Sequence, residues 1–194
     1  MTTRRWNHIV RRANLADTRA LASLISESVN IKDGSADIAG MPRMDDNDGM
    51  ARAELLDGDI VTLVAEANEA LQGFVQVCWN VRPPSAGWMR GAVELRRHYV
   101  RVRHRGAGVA AGLLEAAVDV ARAKDATGLW LKVGKDAGQA VAFYQKYGFQ
   151  IAGSSIAMAD TLWRERWVMH RAVRAPARVR PSAFGRTAIF PCGN

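Results

Sequence analysis

The chain has 194 residues, of which 48% are hydrophobic and 24% charged, the balance of one globular domain with room for a buried core. No apolar run approaches the roughly 20 residues of a membrane helix, and Met1-Thr2-Thr3-Arg4-Arg5-Trp6 has arginines with no apolar stretch behind them, so neither a membrane span nor a secretory leader is expected. Cys78, Cys192 and four scattered histidines make neither a disulfide framework nor a metal-ligand spacing; the expectation is a reducing cytoplasm and no metal.

In chain order, Ile9 and Val10 predict a short first strand, and Asp17 is the expected N-cap of a helix with the face Leu21, Leu24, Ile25 and Val29. From Asn30 to Asp59 the periodicity dissolves among Gly34, Gly40, Pro42, Gly49 and Gly58, with a short helix allowed over Met50–Leu56. This stretch is acidic, with Asp33, Asp37, Asp45, Asp46, Asp48, Glu54, Asp57 and Asp59 against Lys32, Arg43 and Arg52. Ile60–Ala65 and Leu71–Val81 read as a hairpin joined by a turn over Ala67–Ala70, ended by Arg82-Pro83-Pro84. Ala92–Val102 is the expected central strand. After a long helix, Leu129–Val133 is a short buried strand, Asp136 is the expected cap of a helix with the face Ala140, Val141, Tyr144 and Tyr147, and Gly148 suits its stop. Phe149–Ile151 and Trp163–His170 complete the strands. The order β-α-β-β-β-α-β-α-β-β predicts a mixed α/β sheet. Residues 173–194, with Pro176, Pro181, Pro191 and several arginines, read as an irregular basic tail behind a domain of residues 1–172. Phe184, Ile189 and Phe190 give that tail a means of docking on the body or on a second copy, so a homodimer is a candidate assembly.

The most informative stretch is Val100–Lys124, a strand end, a basic glycine turn and an amphipathic helix with Val109, Ala110, Leu113, Leu114, Ala117, Val118 and Ala121 on one face. Gly106 and Gly108 allow a tight turn and close approach of a ligand to the backbone. The first helix amides lack internal partners and carry partial positive charge. Together they make a site for an anion, most naturally a pyrophosphate. A dinucleotide fingerprint fits poorly, because its third glycine falls at Ala111, and no Gly-Lys-Ser/Thr follows as a P-loop requires.

Arg103-His104-Arg105-Gly106-Ala107-Gly108 reads R-x-x-G-x-G, and Ala142-Phe143-Tyr144-Gln145-Lys146-Tyr147-Gly148-Phe149 ends a helix with F-Y-x-K-x-G-F. In this order and spacing the two resemble the signatures of the GNAT family of N-acetyltransferases, over roughly Ile9 to Arg171. The resemblance implies a mixed, mostly antiparallel central sheet flanked by helices, and acetyl-coenzyme A (acetyl-CoA) as cosubstrate. It implies that Arg103, Arg105, Gly106, Ala107, Gly108, Val109 and Ala110 take the pyrophosphate, that Val100 and Val102 pair with the pantetheine arm, and that Asn30–Asp59 caps the acceptor site.

Acetyl transfer needs a held thioester, a deprotonated amine and a proton for the leaving thiolate. Tyr144 is the candidate acid, because a phenol of pKa near ~10 is protonated at neutral pH; the structural alternative is a core aromatic. Glu94, six positions before Val100, is the candidate base by resemblance, against the alternative of a strand carboxylate paired with Arg96 or Arg97. His98 is the next candidate base. Ala137 stands where the family commonly has an asparagine, so a coenzyme-binding module without turnover is the second reading; Asp136 or Gln139 is in place to compensate. Cys78 reads as packing rather than as a nucleophile.

The net charge of +8 raises a third reading, a nucleic-acid-associated protein. The arginines fall in the two termini and in the cluster Arg96, Arg97, Arg101, Arg103 and Arg105 beside the turn, with no reader motif, so nucleic acid is not the expected partner. The basic cluster at one end and the acidic stretch at the other predict an anionic cofactor and a small cationic amine or lysine side chain as acceptor.

Overall fold

The computed structural model describes residues 8–30, 47–84, 89–159 and 162–173. The elements are β1 (Ile9–Arg12), α1 (Thr18–Asn30), α2 (Asn47–Leu56), β2 (Ile60–Ala67), β3 (Ala70–Cys78), β4 (Ala92–Val100), α3 (Val109–Ala123), β5 (Gly128–Gly134), α4 (Gly138–Lys146), β6 (Gln150–Ala159) and β7 (Leu162–Ala172). The strands form one seven-stranded sheet in the order β1-β2-β3-β4-β5-β7-β6. Every neighbouring pair is antiparallel except β4 and β5, so the expected mixed, mostly antiparallel sheet is found. Val173, read as the first residue of the tail, is instead buried in the core with its N–H on the Thr127 carbonyl at 3.0 Å; residues 174–194 and the acidic residues Asp33, Asp37, Asp45 and Asp46 lie outside the described residues.

Alternation along the strands assigns the two faces. Val61, Leu63, Val75, Val77, Val93, Leu95, Leu129, Leu131 and Val133 form one core with Leu113, Leu114, Ala117 and Val118 of α3. Leu113 and Leu114 are fully buried, and truncating either to Ala costs about 2–5 kcal/mol. On the other face Val64, Leu71, Phe74 and Tyr99 meet Leu21, Leu24 and Ile25 of α1 and Ala51 of α2.

Several local expectations shift. Asp17 does not cap α1 directly. A 3-10 turn over Leu15–Asp17 precedes the helix, Asn14 caps it, and the Asp17 carboxylate accepts from the Asn14 N–H at 2.8 Å, closing a capping box. Asp136 is not the cap of α4 either. Ala137 holds that position without a side-chain bond, and Asp136 Oδ1 lies over Gly134, 2.5 Å from where a Cβ would stand. The β2–β3 turn places Asn68 and Glu69 at φ 50° and 59°, matching a tight hairpin. The strand predicted to reach Val81 ends at Cys78, and the one predicted to reach Val102 ends at Val100. The last two strands are longer than expected. Gly148, at φ 83°, stops α4 as predicted.

Candidate active site

The parallel pair at the centre of the sheet opens. β4 and β5 pair through Ala92–Gly128, Val93–Leu129 and Glu94–Trp130, although β4 runs on to Val100 and β5 to Gly134. Beyond these residues the facing edges form no ladder with each other. Backbone N–H and C=O groups must find partners, so this seam suits an extended ligand with amide groups of its own.

A bulge in β4 sits at the mouth of the seam. Val77 pairs with Leu95 and Gln76 with Arg97, which leaves Arg96 as an extra residue. One extra residue reverses the facing of all that follows. Val93 and Leu95 face α3 before the bulge; His98 and Val100 face it afterwards. Arg97 and Tyr99 are thereby turned to the α1–α2 side.

Past Val100 the chain leaves the sheet in a 3-10 turn over Val102–His104. His104 N–H donates to the Arg101 carbonyl at 2.9 Å and Arg105 N–H to the Val102 carbonyl at 3.1 Å. Val102 is 63% exposed and its carbonyl is taken, so of the two strand residues Val100 is the one that lies on the seam. Arg105 folds back, with Nε 3.4 Å from the Val100 carbonyl. Gly106 and Gly108 have φ of 80° and 84°, a region that costs an L side chain roughly 1–2 kcal/mol. Gly108 is the N-cap of α3 and gives no side-chain bond. The first intrahelical amide is that of Gly112, bonded to the Gly108 carbonyl at 3.0 Å, so the amides of Val109, Ala110 and Ala111 precede the ladder. A Cβ added at Gly106 would meet nothing within 4 Å. Donors without partners, an unobstructed turn and the helix dipole fit a pyrophosphate.

Tyr144 and His98 meet on the α3–α4 side of the seam. The Tyr144 ring packs edge-on against Phe143 and Phe149, with centroids 5.3 and 5.5 Å apart. Its backbone is pinned as well, because its carbonyl accepts from the N–H groups of Tyr147 and Phe149, both at 3.0 Å. Burial pushes the phenol above the ordinary tyrosine range, so it is protonated at neutral pH. Its hydroxyl lies 3.3 Å from His98 Nδ1. Burial holds the imidazole down at about 4, against a smaller opposing effect of the Ala110 carbonyl, which makes His98 a poor acceptor for an ammonium proton.

Glu94 lies on the opposite face of β4 from Leu95, buried, with Lys132 Nζ at 3.3 Å and Arg96 Nε at 3.8 Å. The pairing with Arg96, the structural alternative to a base role, is present, although at a buried carboxylate; Lys132, which sequence reasoning does not single out, is the closer cation. Glu94 and Tyr144 stand on opposite sides of the open seam rather than side by side.

The charge pattern is more divided than the sequence implied. Arg97 is buried, and its Nη1 donates to both Glu54 carboxylate oxygens at 2.8 and 2.7 Å and to Gln76 Oε1 at 2.7 Å. Arg101 pairs with Glu27 at 2.8 Å. With Arg96 beside Glu94, three of the five arginines of the expected basic cluster therefore serve internal ion pairs, and Glu54 of the acidic stretch is paired with Arg97. Cys78 is buried, and desolvation raises its thiol to about 12, in keeping with packing. Ala137 is buried and brings no polar group to the site.

Residues 30–149 match the sequence model of the acetyltransferase (GNAT) family. No curated protein matches the sequence. Among solved structures, a ribosomal-protein-alanine N-acetyltransferase from Brucella melitensis superposes with a TM-score of 0.69 at 22% identity, over 84% of this chain and 99% of that one. The putative acetyltransferase yncA from Salmonella typhimurium, with its cofactor acetyl-CoA, gives 0.68 at 20% identity, over 90% and 98%. A spermidine N-acetyltransferase chimera of Vibrio cholerae SpeG and hSSAT gives 0.66 at 17% identity, over 86% and 95%. These likenesses carry the fold, and the sequence model spans more than half of the chain: the protein belongs to the GNAT family of acetyltransferases.

Proposed function

We propose that the protein transfers an acetyl group from acetyl-CoA to a primary amine by direct attack, with a small cationic amine as the favoured acceptor. The observation that carries this reading is the open seam between β4 and β5, which ends at the glycine turn and has a buried phenol on one side and a buried carboxylate on the other. In this reading Arg103, Arg105 and the backbone from Gly106 to Ala110 hold the pyrophosphate, and the main chain at Val100 holds the pantetheine arm. The amine approaches from the α1–α2 face, and the seam lets it reach a thioester carbonyl held from the α3 side.

The proton steps then separate by face. Glu94 takes one proton from the ammonium, whose pKa is near ~10.4 when free. The nitrogen–carbonyl bond forms and the carbon–sulfur bond breaks. Tyr144 gives its proton to the sulfur, and the second amine proton returns through solvent to the phenolate, so one proton is released per turnover. The bound structure of yncA supports acetyl-CoA as the donor, and the spermidine enzyme supports a cationic acceptor. Asp48, Asp57 and Asp59 are the carboxylates of the acidic stretch, besides Glu54, that lie within the described residues. In this reading the transferase domain runs through the buried Val173, and residues 174–194 form a basic tail outside it.

The test is release of free thiol from acetyl-CoA across a panel of cationic, neutral and acidic amines at low and high salt. Transfer favouring polyamines, aminoglycoside-like amines or lysine side chains, and weakening with salt, is expected. Preference for an acidic amine such as glutamate would overturn the acceptor class. Coenzyme binding without thiol release for any amine would favour the module without turnover, the reading that Ala137 keeps open.

A further inference from the structure

His98 is the one histidine that the bulge turns toward α3, and both of its ring nitrogens are engaged. Nε2 lies 3.0 Å from the Ala110 carbonyl, which can only accept. Nε2 must therefore carry the hydrogen, since a bare nitrogen there would set two lone pairs against each other. A doubly protonated ring is disfavoured, because burial holds His98 at about 4. The neutral ring thus has its free lone pair on Nδ1, facing Tyr144 at 3.3 Å, and the phenol is the donor. That distance is long for an O–H donor, so the hydroxyl is oriented without being held tightly. Phe143 packs beside both rings, with centroids 5.8 Å from His98 and 5.3 Å from Tyr144, and keeps them in register.

We propose that His98 is a positioning residue for Tyr144: anchored through Nε2–H on the Ala110 carbonyl, it fixes the direction of the phenol proton and ties the acid to the first turn of the helix that faces the phosphate. The inference rests on the acetyl-transfer reading for the role of Tyr144, while the hydrogen-bond chain itself is independent of it. The first turn of α3 contributes twice, with amides toward the coenzyme and one carbonyl toward the acid. When the thiolate forms, the loosely held hydroxyl turns to the sulfur, and afterwards it returns to Nδ1.

The experiment uses the full chain with nitrogen-15 in its histidine rings, with the His98 signals assigned by His98→Asn. Near neutral pH, His98 is expected to show a protonated Nε2 and a bare Nδ1, and Tyr144→Phe should move the Nδ1 signal in the direction of a lost hydrogen bond. A protonated Nδ1, or an Nδ1 signal indifferent to Tyr144→Phe, would overturn the proposal. In turnover, His98→Leu removes the acceptor and should lower kcat about 5- to 10-fold, the worth of one net hydrogen bond, with coenzyme Kd unchanged. His98→Asn places an amide oxygen near the former Nδ1 and should restore most of the rate. Equal losses in the two variants, or a weakened coenzyme affinity that accounts for the loss, would reduce His98 to packing. If no amine is acetylated at all, acetyl transfer fails as the function, while the nitrogen spectra still decide the His98–Tyr144 bond.

Discussion

Replacing Tyr144 with Phe separates chemistry from architecture. The buried ring packs against Phe143, Phe149 and His98, and Phe keeps those contacts. The hydroxyl's partner among the described residues is His98 Nδ1 at 3.3 Å, a long bond worth at most about 1 kcal/mol net. The variant should therefore fold, with a stability loss within about 1 kcal/mol, and bind acetyl-CoA normally. The rate should respond differently. Loss of a general acid is worth about 10²–10⁴-fold, or roughly 3–5 kcal/mol of barrier. Steady-state kinetics with the best amine, calorimetric titration of acetyl-CoA and a denaturant melt measure the three quantities on one preparation. Because burial raises the phenol, the acid form persists with rising pH beyond the ordinary tyrosine range, and an alkaline loss of rate due to this group should lie above about 10. A variant that turns over within about threefold of the parent, against the expected loss, would return Tyr144 to the core.

Gly108→Glu should abolish acetyl-CoA binding in a calorimetric titration, since φ of 84° strains any side chain and the carboxylate repels phosphate; unchanged affinity in a folded variant would refute the phosphate assignment. Arg97→Met should cost about 3 kcal/mol in denaturant unfolding by taking the cation from the partly buried Glu54, which keeps only Gln76 Nε2 as a donor among the described residues, and adding Glu54→Gln should recover part of that, a non-additivity read from the double-mutant cycle. His98 binds its proton more weakly when folded, at about 4 against 6.5, so the unfolded chain takes up protons first and stability falls as pH drops below 6.5. That amounts to about 2 kcal/mol by about pH 5, and His98→Leu should remove it from the pH–stability curve; an unchanged slope would contradict the burial of the ring.

What the sequence made legible was local. The glycine turn, the face of α3 and the stop at Gly148 depend on residues a few positions apart, and all three stand as read. The bulge at Arg96 was not legible, because two residues opposing one is a property of β3 and β4 together. Its trace was there in hindsight: the apolar alternation of Val93 and Leu95 resumes out of phase at His98 and Val100. The same limit explains the charges. Arg97, Arg101 and Glu54 read as open fields along the chain, but their partners lie 43 and 74 positions away. Asp17 and Asp136 were read as caps from type and position alone. A 3-10 turn capped by Asn14 and an alanine take those places. Glu94 is legible only by resemblance, and its nearest cation, Lys132 at 3.3 Å, comes from the adjoining parallel strand.

The central claim is acetyl transfer through the open seam, and it is tested most directly by following both products of one reaction. Acetyl-CoA and a polyamine are mixed with the protein, free thiol is read continuously, and the acetylated amine is quantified by mass spectrometry. Transfer by direct attack requires thiol and acetylated amine to appear in equal amounts, with the rate lost in Tyr144→Phe and lowered in Glu94→Gln. Thiol release without acetylated amine, or no release with any amine by a protein that binds the coenzyme, would contradict it.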